Sequence, residues 1–259
     1  MGAYLVTGAA SGLGAAVTAR LRDRGDRVVT VDLRDADVNA DLGTVAGRTD
    51  AVGAALALVD GPLAGLVPCA GLGPQVPDHP LIASVNFFGA VAFLDGCLDA
   101  LAAARISSGV PAAAVAISSN STTIDPTVSA DLVAAFLARD EATARGIAAD
   151  LPGNSVYASS KVALARDVRR RVTEWGGRGV RINAVAPGPF RSPLLQQGLD
   201  DPTFGPLIEA LPVPTGEIGT PAEVAAVIEF LLGPGASYVH GSIVFVDGGI
   251  DALLRPDAI

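Results

Sequence analysis

The chain has 259 residues, of which 50% are hydrophobic and only 5% aromatic, and its formal net charge at pH 7 is −9. This length suits one large α/β domain or two small ones. The acidic balance argues against a nucleic-acid-binding protein, because such proteins present clustered Lys and Arg to the phosphates. The one basic cluster, three arginines at 169–171, is interpreted as the solvated face of a helix.

Disulfide, metal and membrane signals are weak throughout the chain. The two cysteines, Cys69 and Cys97, form no Cys-x-x-Cys pair and suit a reducing cytoplasm. His79 and His240 are far apart, and no metal-ligand spacing appears. No apolar run approaches the roughly 20 residues that span a bilayer. We therefore expect a cytoplasmic protein with no metal and no membrane contact.

Apolar strands and helical patterns alternate along the chain. Strands are predicted at residues 4–7, 27–31, 65–69, 112–117, 180–186 and 242–246, with a short third strand at Asp41 and Leu42. Helices are predicted at residues 13–24, 49–59, 80–101, 157–175 and 220–232. Apolar strands that alternate with helices indicate a parallel sheet covered on both faces. Since no composition break or repeat appears, we predict a single Rossmann-like, doubly wound α/β domain over residues 1–259.

A glycine-rich turn lies between the first strand and the first helix. Its residues Gly8, Ser11, Gly12, Leu13 and Gly14 follow a Gly-x-x-x-Gly-x-Gly spacing, without the Lys of a triphosphate-binding loop. A turn free of side chains lets backbone N–H groups close on a pyrophosphate at the positive end of a helix. The turn therefore predicts a dinucleotide site.

The acidic residue at the end of the second strand bears on which dinucleotide binds. Asp32 is placed to accept hydrogen bonds from the adenosine ribose hydroxyls and to repel a 2′-phosphate. Arg34 is the counter-evidence, because a guanidinium can hold that phosphate. On balance NAD(H) is preferred over NADP(H). Asp41 and Leu42 are expected beside the adenine.

Tyr157 and Lys161 are four residues apart in a predicted helix, so they share one face. A cation about 4 Å from the phenol favours phenolate by about 4 kcal/mol at an effective dielectric of ~20. That energy equals roughly three pKa units and would bring the pKa of the tyrosine near ~7, where proton transfer is efficient. The alternative is an ordinary solvated helix face.

The motifs together resemble the short-chain dehydrogenase/reductase family over essentially the whole chain. The resemblance rests on the glycine turn, the Cys69-Ala70-Gly71 stretch, Asn86, Ser119, the Tyr157 and Lys161 pair, and Pro187-Gly188. Further stretches resemble the bacterial 3α-hydroxysteroid dehydrogenase/carbonyl reductase branch. They include residues 69–75, 84–86, 193–195, 237–241 and 247–252.

The resemblance implies roles for individual residues. Tyr157 is the expected general acid/base, Lys161 holds the nicotinamide ribose and lowers the pKa of the tyrosine, and Ser119 binds the substrate oxygen. Asn86 is expected to position a water in a proton relay to Lys161. Ser118 is a rival for Ser119.

Other family positions are expected to contact the cofactor. Those expected are Cys69, Ala70, Gly71, Pro187, Gly188, Phe190 and Ser192. Ser192 takes the place of a Thr that bonds the carboxamide. The family's Asn-Asn-Ala-Gly motif reads Pro68-Cys69-Ala70-Gly71 here, so the polar bonds of both asparagines must be replaced or lost. Cys69 is interpreted as a small buried residue, not as a nucleophile.

Two variable segments are expected to shape the substrate site. The first, residues 120–156, is longer than in most relatives, and a helix is predicted at 129–149. It is a wall over the substrate, a surface that alters subunit contacts, or a simple excursion. The second segment, 193–219, is apolar and carries no fixed cation, which favours a hydrophobic alcohol or ketone.

The resulting prediction is an NAD(H)-dependent oxidoreductase that interconverts a secondary alcohol and a ketone on a steroid-like or cyclic substrate. The alternatives are an aromatic alcohol dehydrogenase for a substrate resembling coniferyl alcohol, and a non-catalytic NAD sensor on the same fold. The family resemblance implies a homodimer or homotetramer, with the Tyr157 helix and the last strand as contact surfaces.

Overall fold

The structure is a computed structural model that describes residues 2–108 and 112–258. Its centre is a seven-stranded sheet in the order β3-β2-β1-β4-β5-β6-β7, and every neighbouring pair is parallel. The strands are β1 Ala3–Thr7, β2 Arg27–Asp32, β3 Val38–Asn39, β4 Leu63–Pro68, β5 Ala112–Ile117, β6 Val180–Pro187 and β7 Ile243–Val246. The predicted doubly wound parallel sheet is confirmed.

Helices cover both faces of this sheet. They are α1 Gly12–Asp23, α2 Val45–Leu58, α3 His79–Ala83, α4 Ala90–Ser108, α5 Ser121–Ile124, α6 Ala130–Leu137, α7 Glu141–Ala149, α8 Gly153–Arg170, α9 Val172–Gly177, α10 Pro193–Leu199, α11 Gly205–Glu209, α12 Pro221–Leu232 and α13 Ile250–Leu254. A π-helical segment, Ser84–Gly89, joins α3 to α4, and a 3₁₀ turn, Pro234–Ala236, follows α12.

The two faces separate because successive strand residues point to opposite sides. Leu5 belongs to the larger core, which includes residues of α2, α4, α6 and α8. Its neighbour Val6 belongs to the smaller core, with residues of α1 and α12. Strand β5 alternates in the same way and is mostly alanine, which lets helices approach the sheet closely.

Several predicted boundaries are wrong in detail. The third strand is Val38–Asn39, and Asp41 and Leu42 lie in the turn after it, where Asp41 Oδ1 accepts a hydrogen bond from Gly43 N (2.8 Å). Helix α2 begins at Val45 instead of residue 49, because the Thr44 side chain caps Gly47 N.

Three long predicted helices are interrupted. The 129–149 helix is divided into α6 and α7 at Arg139, whose φ of 62° is left-handed and cannot continue a helix. The 157–175 helix begins earlier, at Gly153, and breaks at Arg171 between α8 and α9. The 80–101 helix contains the π-helical segment.

One continuous helical stretch, His79–Arg105, is long and apolar enough to cross a membrane by length and composition. This stretch corrects the expectation that no apolar run approaches the length of a bilayer span. However, 72% of its most apolar window is buried inside the fold. Its side chains pack against β4 and β5 in the larger core, so its hydropathy is that of a core helix.

Candidate active site

The carboxyl ends of β1, β4, β5 and β6 open into one cavity of about 780 Å³. In an open parallel sheet, ligands bind at this edge, where loops leave the strands toward opposite faces. The cavity extends from the glycine turn after β1, past the loop after β4, to segment 193–211. It contains nearly all of the residues that the sequence nominated.

The glycine turn is built so closely that side chains are excluded from it. A Cβ at Gly14 would lie 2.1 Å from Gly8 O, and one at Gly8 would lie 2.7 Å from Ala70 Cα. Gly8 and Gly12 also have positive φ, 66° and 52°, which favours glycine. Helix α1 starts here without a side-chain cap from Ser11. Its first N–H groups therefore suit a pyrophosphate.

Asp32 stands at the end of β2 and is held in place from the glycine turn. Its Oδ2 accepts a hydrogen bond from Ala10 N at 2.9 Å, and its Oδ1 accepts one from Leu33 N at 2.7 Å. Asp32, Asp41 and Leu42 all line the cavity. Arg34 is exposed and does not line it. The Asp32 carboxylate thus faces the cavity, while Arg34 lies outside it.

Ser119, Tyr157 and Lys161 come together where β5 ends against α8. The Ser119 hydroxyl lies close enough to Tyr157 to lower the pKa of the phenol. Ser118 points elsewhere, since its Oγ donates to Lys161 O (3.1 Å) inside the core. The structure thus brings Ser119, not its rival, to the tyrosine. Lys161 Nζ donates to Ile117 O (2.9 Å) and lies 5.6 Å from the centroid of the Tyr157 ring.

Burial dominates the pKa of both Tyr157 and Lys161. It raises the pKa of Tyr157 above its ordinary value, and the nearby Ser119 hydroxyl lowers it by less. Burial also lowers the pKa of Lys161 to about 8. The Lys161 ammonium is directed to Ile117 O, so desolvation dominates at Tyr157, and the lowering of the tyrosine pKa by Lys161 stays a prediction.

Asn86 lies in the π-helical segment and is buried. Its amide is paired with the loop after β4: Oδ1 accepts from Leu72 N (2.7 Å), and Nδ2 donates to Leu72 O (3.0 Å). A Cβ at Gly71 would lie 3.4 Å from Asn86 Oδ1 and 3.7 Å from Lys161 Nζ. Asn86 is therefore near Lys161, while its side chain holds the loop, and the water relay stays a prediction.

The loop after β4 closes the middle of the cavity. Desolvation raises the pKa of the half-buried Cys69 thiol to about 12, which agrees with an unreactive residue and not with a nucleophile. Ala70 N donates to Thr7 Oγ1 (3.0 Å), a bond that ties the ends of β1 and β4 together although both family asparagines are absent. Cys69, Ala70 and Gly71 all line the cavity.

The residues after β6 form the next part of the wall. Pro187, Gly188, Phe190 and Ser192 all line the cavity. Ser192 caps α10, because its Oγ accepts a hydrogen bond from Leu195 N at 3.1 Å. The hydroxyl of Ser192 keeps its own proton for donation, so the predicted carboxamide contact stays compatible with this cap.

The two variable segments contribute unequally. Segment 193–211 supplies an apolar wall, formed by Pro193, Leu194, Leu195, Phe204, Leu207, Ile208 and Leu211. From segment 120–156, the residues that line the cavity are 120, 121, 124–127 and Asn154. Helices α6 and α7 pack instead on each other, on α8 and on α3. Of the roles predicted for segment 120–156, that of a wall over the substrate is therefore possible only for the two ends of the segment.

Sequence reasoning missed the lining residues at those two ends. Asn154 precedes Tyr157 by three residues, a spacing that puts both on one helix face and that would have identified it. Residues 121–127 gave no comparable signal. Among residues 2–108 and 112–258, no cluster of His, Cys, Asp or Glu suits a metal ion.

Comparisons with known proteins agree with this geometry: the chain belongs to the short-chain dehydrogenase/reductase family and is an oxidoreductase. It is 44% identical over 264 residues to a 3-alpha-hydroxysteroid dehydrogenase/carbonyl reductase of Comamonas testosteroni, with 99% of each chain covered. The 3-alpha-hydroxysteroid dehydrogenase from Pseudomonas sp. B-0831, solved in complex with NADH, matches with a TM-score of 0.93 and 42% identity, over 99% of this chain and 100% of that one.

More distant similarities support the fold alone. The family model described as enoyl-(acyl carrier protein) reductase matches residues 142–251. A 3-ketoacyl-(acyl-carrier-protein) reductase from Brucella melitensis has a TM-score of 0.73 at 23% identity, covering 96% of this chain and 98% of that one.

Proposed function

We propose that the protein is an NAD(H)-dependent oxidoreductase that interconverts a secondary alcohol and a ketone on a hydrophobic, steroid-like or other cyclic substrate. The observation that carries this proposal is the continuity of one cavity. The glycine turn and Asp32 line one part of it, and the Ser119 and Tyr157 pair lies beside an apolar wall in another. A dinucleotide and an apolar alcohol therefore have adjoining places.

The chain supplies binding, orientation and proton transfer. The N–H groups of the glycine turn bind the pyrophosphate, and Asp32 binds the adenosine ribose. When bound, the nicotinamide supplies hydride chemistry. Ser119 holds the substrate oxygen against the Tyr157 hydroxyl, which gives or takes the proton. Lys161, close behind the tyrosine, holds the nicotinamide ribose.

The preference for NAD(H) over NADP(H) belongs to the same proposal. It is supported by the Asp32 carboxylate in the cavity and by the position of Arg34 outside it. The two described cysteines are free thiols, which suits a cytoplasmic protein.

We further propose a homodimer or homotetramer. Strand β7 lies at the edge of the sheet and is half-buried, with β6 as its one described neighbour. Phe230 on α12 and Tyr238 before β7 are large exposed side chains nearby in the chain. Tyr238→Asp, an exposed change beside β7, should lower the mass of the assembly in light scattering. An unchanged mass would contradict this contact surface.

The test of the function is a screen of hydroxysteroids, cyclic secondary alcohols and aromatic alcohols with NAD⁺, followed by the absorbance of reduced nicotinamide. The expected result is turnover of the steroid or cyclic alcohols. Preference for the aromatic alcohols would favour the rival dehydrogenase. NADH binding without turnover of any alcohol would indicate a sensor and contradict the proposal.

A further inference from the structure

One part of the substrate cavity is polar although its neighbour is apolar. Ser121, Asp125, Thr127 and Asn154 all line it, at the two ends of segment 120–156. Asn154 lies one helical turn before Tyr157 on α8, a separation of about 4.5 Å along the axis. Ser121 N donates to Ser119 Oγ at 3.1 Å. This polar wall therefore begins beside the catalytic pair.

A chain of hydrogen bonds orients the side chains of the polar wall. Asn154 Nδ2 donates to Thr127 Oγ1 (3.0 Å), and Thr127 Oγ1 donates to Asp125 Oδ1 (2.6 Å). A carboxylate only accepts, so the single hydroxyl proton of Thr127 goes to Asp125. Thr127 must then accept from an N–H group, which fixes the amide nitrogen of Asn154 toward Thr127.

This orientation leaves two acceptor atoms for a ligand. In the described part of the chain, neither Asp125 Oδ2 nor Asn154 Oδ1 has a hydrogen-bond donor. The adjoining Ser121 Oγ is buried without a partner among the described residues and can also accept from a ligand, while the buried, unpaired Asn120 Nδ2 is a donor that a ligand hydroxyl can pair by accepting. Asn120, only 6% exposed, lines the same cavity. Buried polar groups of this kind are costly unless a ligand or water pairs them.

The charge of the region selects the kind of ligand. Asp125 is the carboxylate at the polar wall, and the other acidic lining residues, Asp32 and Asp41, belong to the cofactor end. Among the described lining residues, Lys161 is the one cation, and its Nζ is bonded to Ile117 O. A substrate carboxylate would be repelled here, whereas a hydrogen-bond donor would be held.

We propose that the polar wall of Ser121, Asp125, Thr127 and Asn154 is a specificity subsite for a second, hydrogen-bond-donating group of the substrate, a hydroxyl or an ammonium. This inference rests on the proposed function and deepens it. The substrate is then an apolar ring compound that carries a donor group in addition to the reacting oxygen. The apolar wall at 193–211 receives the ring body.

The experiment uses bicyclic ketones with NADH, as a matched series with no substituent, a hydroxyl, an amine or a carboxylate at each ring position in turn. The best hydroxylated isomer should exceed the unsubstituted ketone in kcat/KM by about tenfold, the value of one hydrogen bond to a charged acceptor. The amine should do at least as well, and the carboxylate should do worse than the unsubstituted ketone.

Two variants and a control identify the residues responsible. Asn154→Leu removes one acceptor. The ratio of kcat/KM for the hydroxylated ketone to that for the unsubstituted ketone should therefore fall toward one. Asp125→Asn keeps an oxygen for Thr127 N but removes the charge, so it should abolish the preference for the amine. Asp50→Asn, an exposed change on α2, should leave every ratio unchanged. NADH fluorescence verifies that each variant is folded. Should Asn154→Leu fail to fold, the result for Asp125→Asn alone tests the subsite.

Two results would overturn the subsite: equal turnover of substituted and unsubstituted ketones, or a preference that survives in both variants. In either case, NADH-dependent turnover of the unsubstituted ketone would leave the proposed function intact. Failure to reduce any ketone of the series would overturn both.

Discussion

The glycine turn and segment 120–156 border the same cavity but are held by different forces. The turn is fixed by backbone geometry, since a Cβ at Gly14 would overlap Gly8 O. Helices α6 and α7 of the segment are held by side chains. Buried Arg48 on α2 forms an ion pair with Glu141, and Ser84 Oγ donates to the same carboxylate (2.9 Å). Backbone constraints require glycine at fixed spacings, which can be recognised in a sequence. Side-chain pairs between distant residues have no such recognisable pattern.

This difference predicts that the segment depends on a small number of charges. Glu141→Ala should lower the free energy of unfolding by about 3–5 kcal/mol, because it leaves the Arg48 guanidinium buried without its partner. Urea denaturation measures the effect. Asp60→Ala is the control, since it breaks the exposed Arg27–Asp60 pair and should cost less than about 1 kcal/mol. Equal effects would mean that the buried pair does not anchor the segment.

At the glycine turn, even the single methyl group of alanine should reduce stability and cofactor affinity. Gly14→Ala should cost about 1–3 kcal/mol of stability by overpacking and should weaken NADH binding, because the atom it meets is backbone. Gly53→Ala is the matched control, with open space around its Cβ in α2, and should stabilise by about 0.5–1 kcal/mol. Calorimetry measures the stability of both variants, and NADH fluorescence measures their affinity for the cofactor. Gly14→Ala with normal affinity would contradict the role of the turn.

The choice of cofactor should depend on one charge at the rim of the turn. Asp32→Asn keeps an acceptor for Ala10 N but no longer repels a 2′-phosphate. We expect the ratio of kcat/KM for NADPH to that for NADH to rise about tenfold, the value of one interaction with a charged group. Asp35→Asn, exposed and outside the cavity, should not change it. An unchanged ratio in Asp32→Asn would show that Asp32 does not contact the ribose.

The smallest effect concerns Lys161. Its pKa is about 8 in the fold and 10.5 ordinarily, so between pH 8 and 9 the unfolded chain keeps a proton that the folded protein loses. The contribution of Lys161 to the free energy of unfolding should therefore rise by about 1 kcal/mol over this interval. The two cysteines oppose this rise from about pH 8 upward, because burial raises the pKa of each from 9.0 to about 12, so that the unfolded chain loses thiol protons that the folded protein keeps. Wild type compared with Lys161→Met isolates the lysine, and parallel pH dependences would refute its buried, deprotonating state.

Much of the fold followed from the sequence, because apolar strands and a side-chain-free turn have few alternatives. The parallel strands and the two covered faces of the sheet agree with the apolar pattern. Breaks inside long helical patterns escaped prediction, since they depend on local events such as the left-handed backbone at Arg139. The short third strand was misplaced by three residues because a two-residue strand carries almost no periodic signal.

The candidate site divides in the same way. The spacing of Tyr157 and Lys161 put both on one helix face, and the family resemblance added Ser119, but neither could reveal that the ammonium turns to Ile117 O. Desolvation depends on everything packed around a group, so the sign of the pKa shift at Tyr157 could not be read from two residues. For the same reason, the polar wall at Asp125 and Asn154 became visible only once the two ends of the segment were brought together.

The central claim is that Tyr157 transfers the proton while the cofactor site is independent of it. Tyr157→Phe removes one hydroxyl and should lower kcat for the best alcohol of the screen by a factor of about 10²–10⁴, the usual contribution of a general acid or base. The Kd for NADH, measured by fluorescence titration of the same variant, should be nearly unchanged. Preserved turnover, or an equal loss of turnover and NADH affinity, would contradict the account.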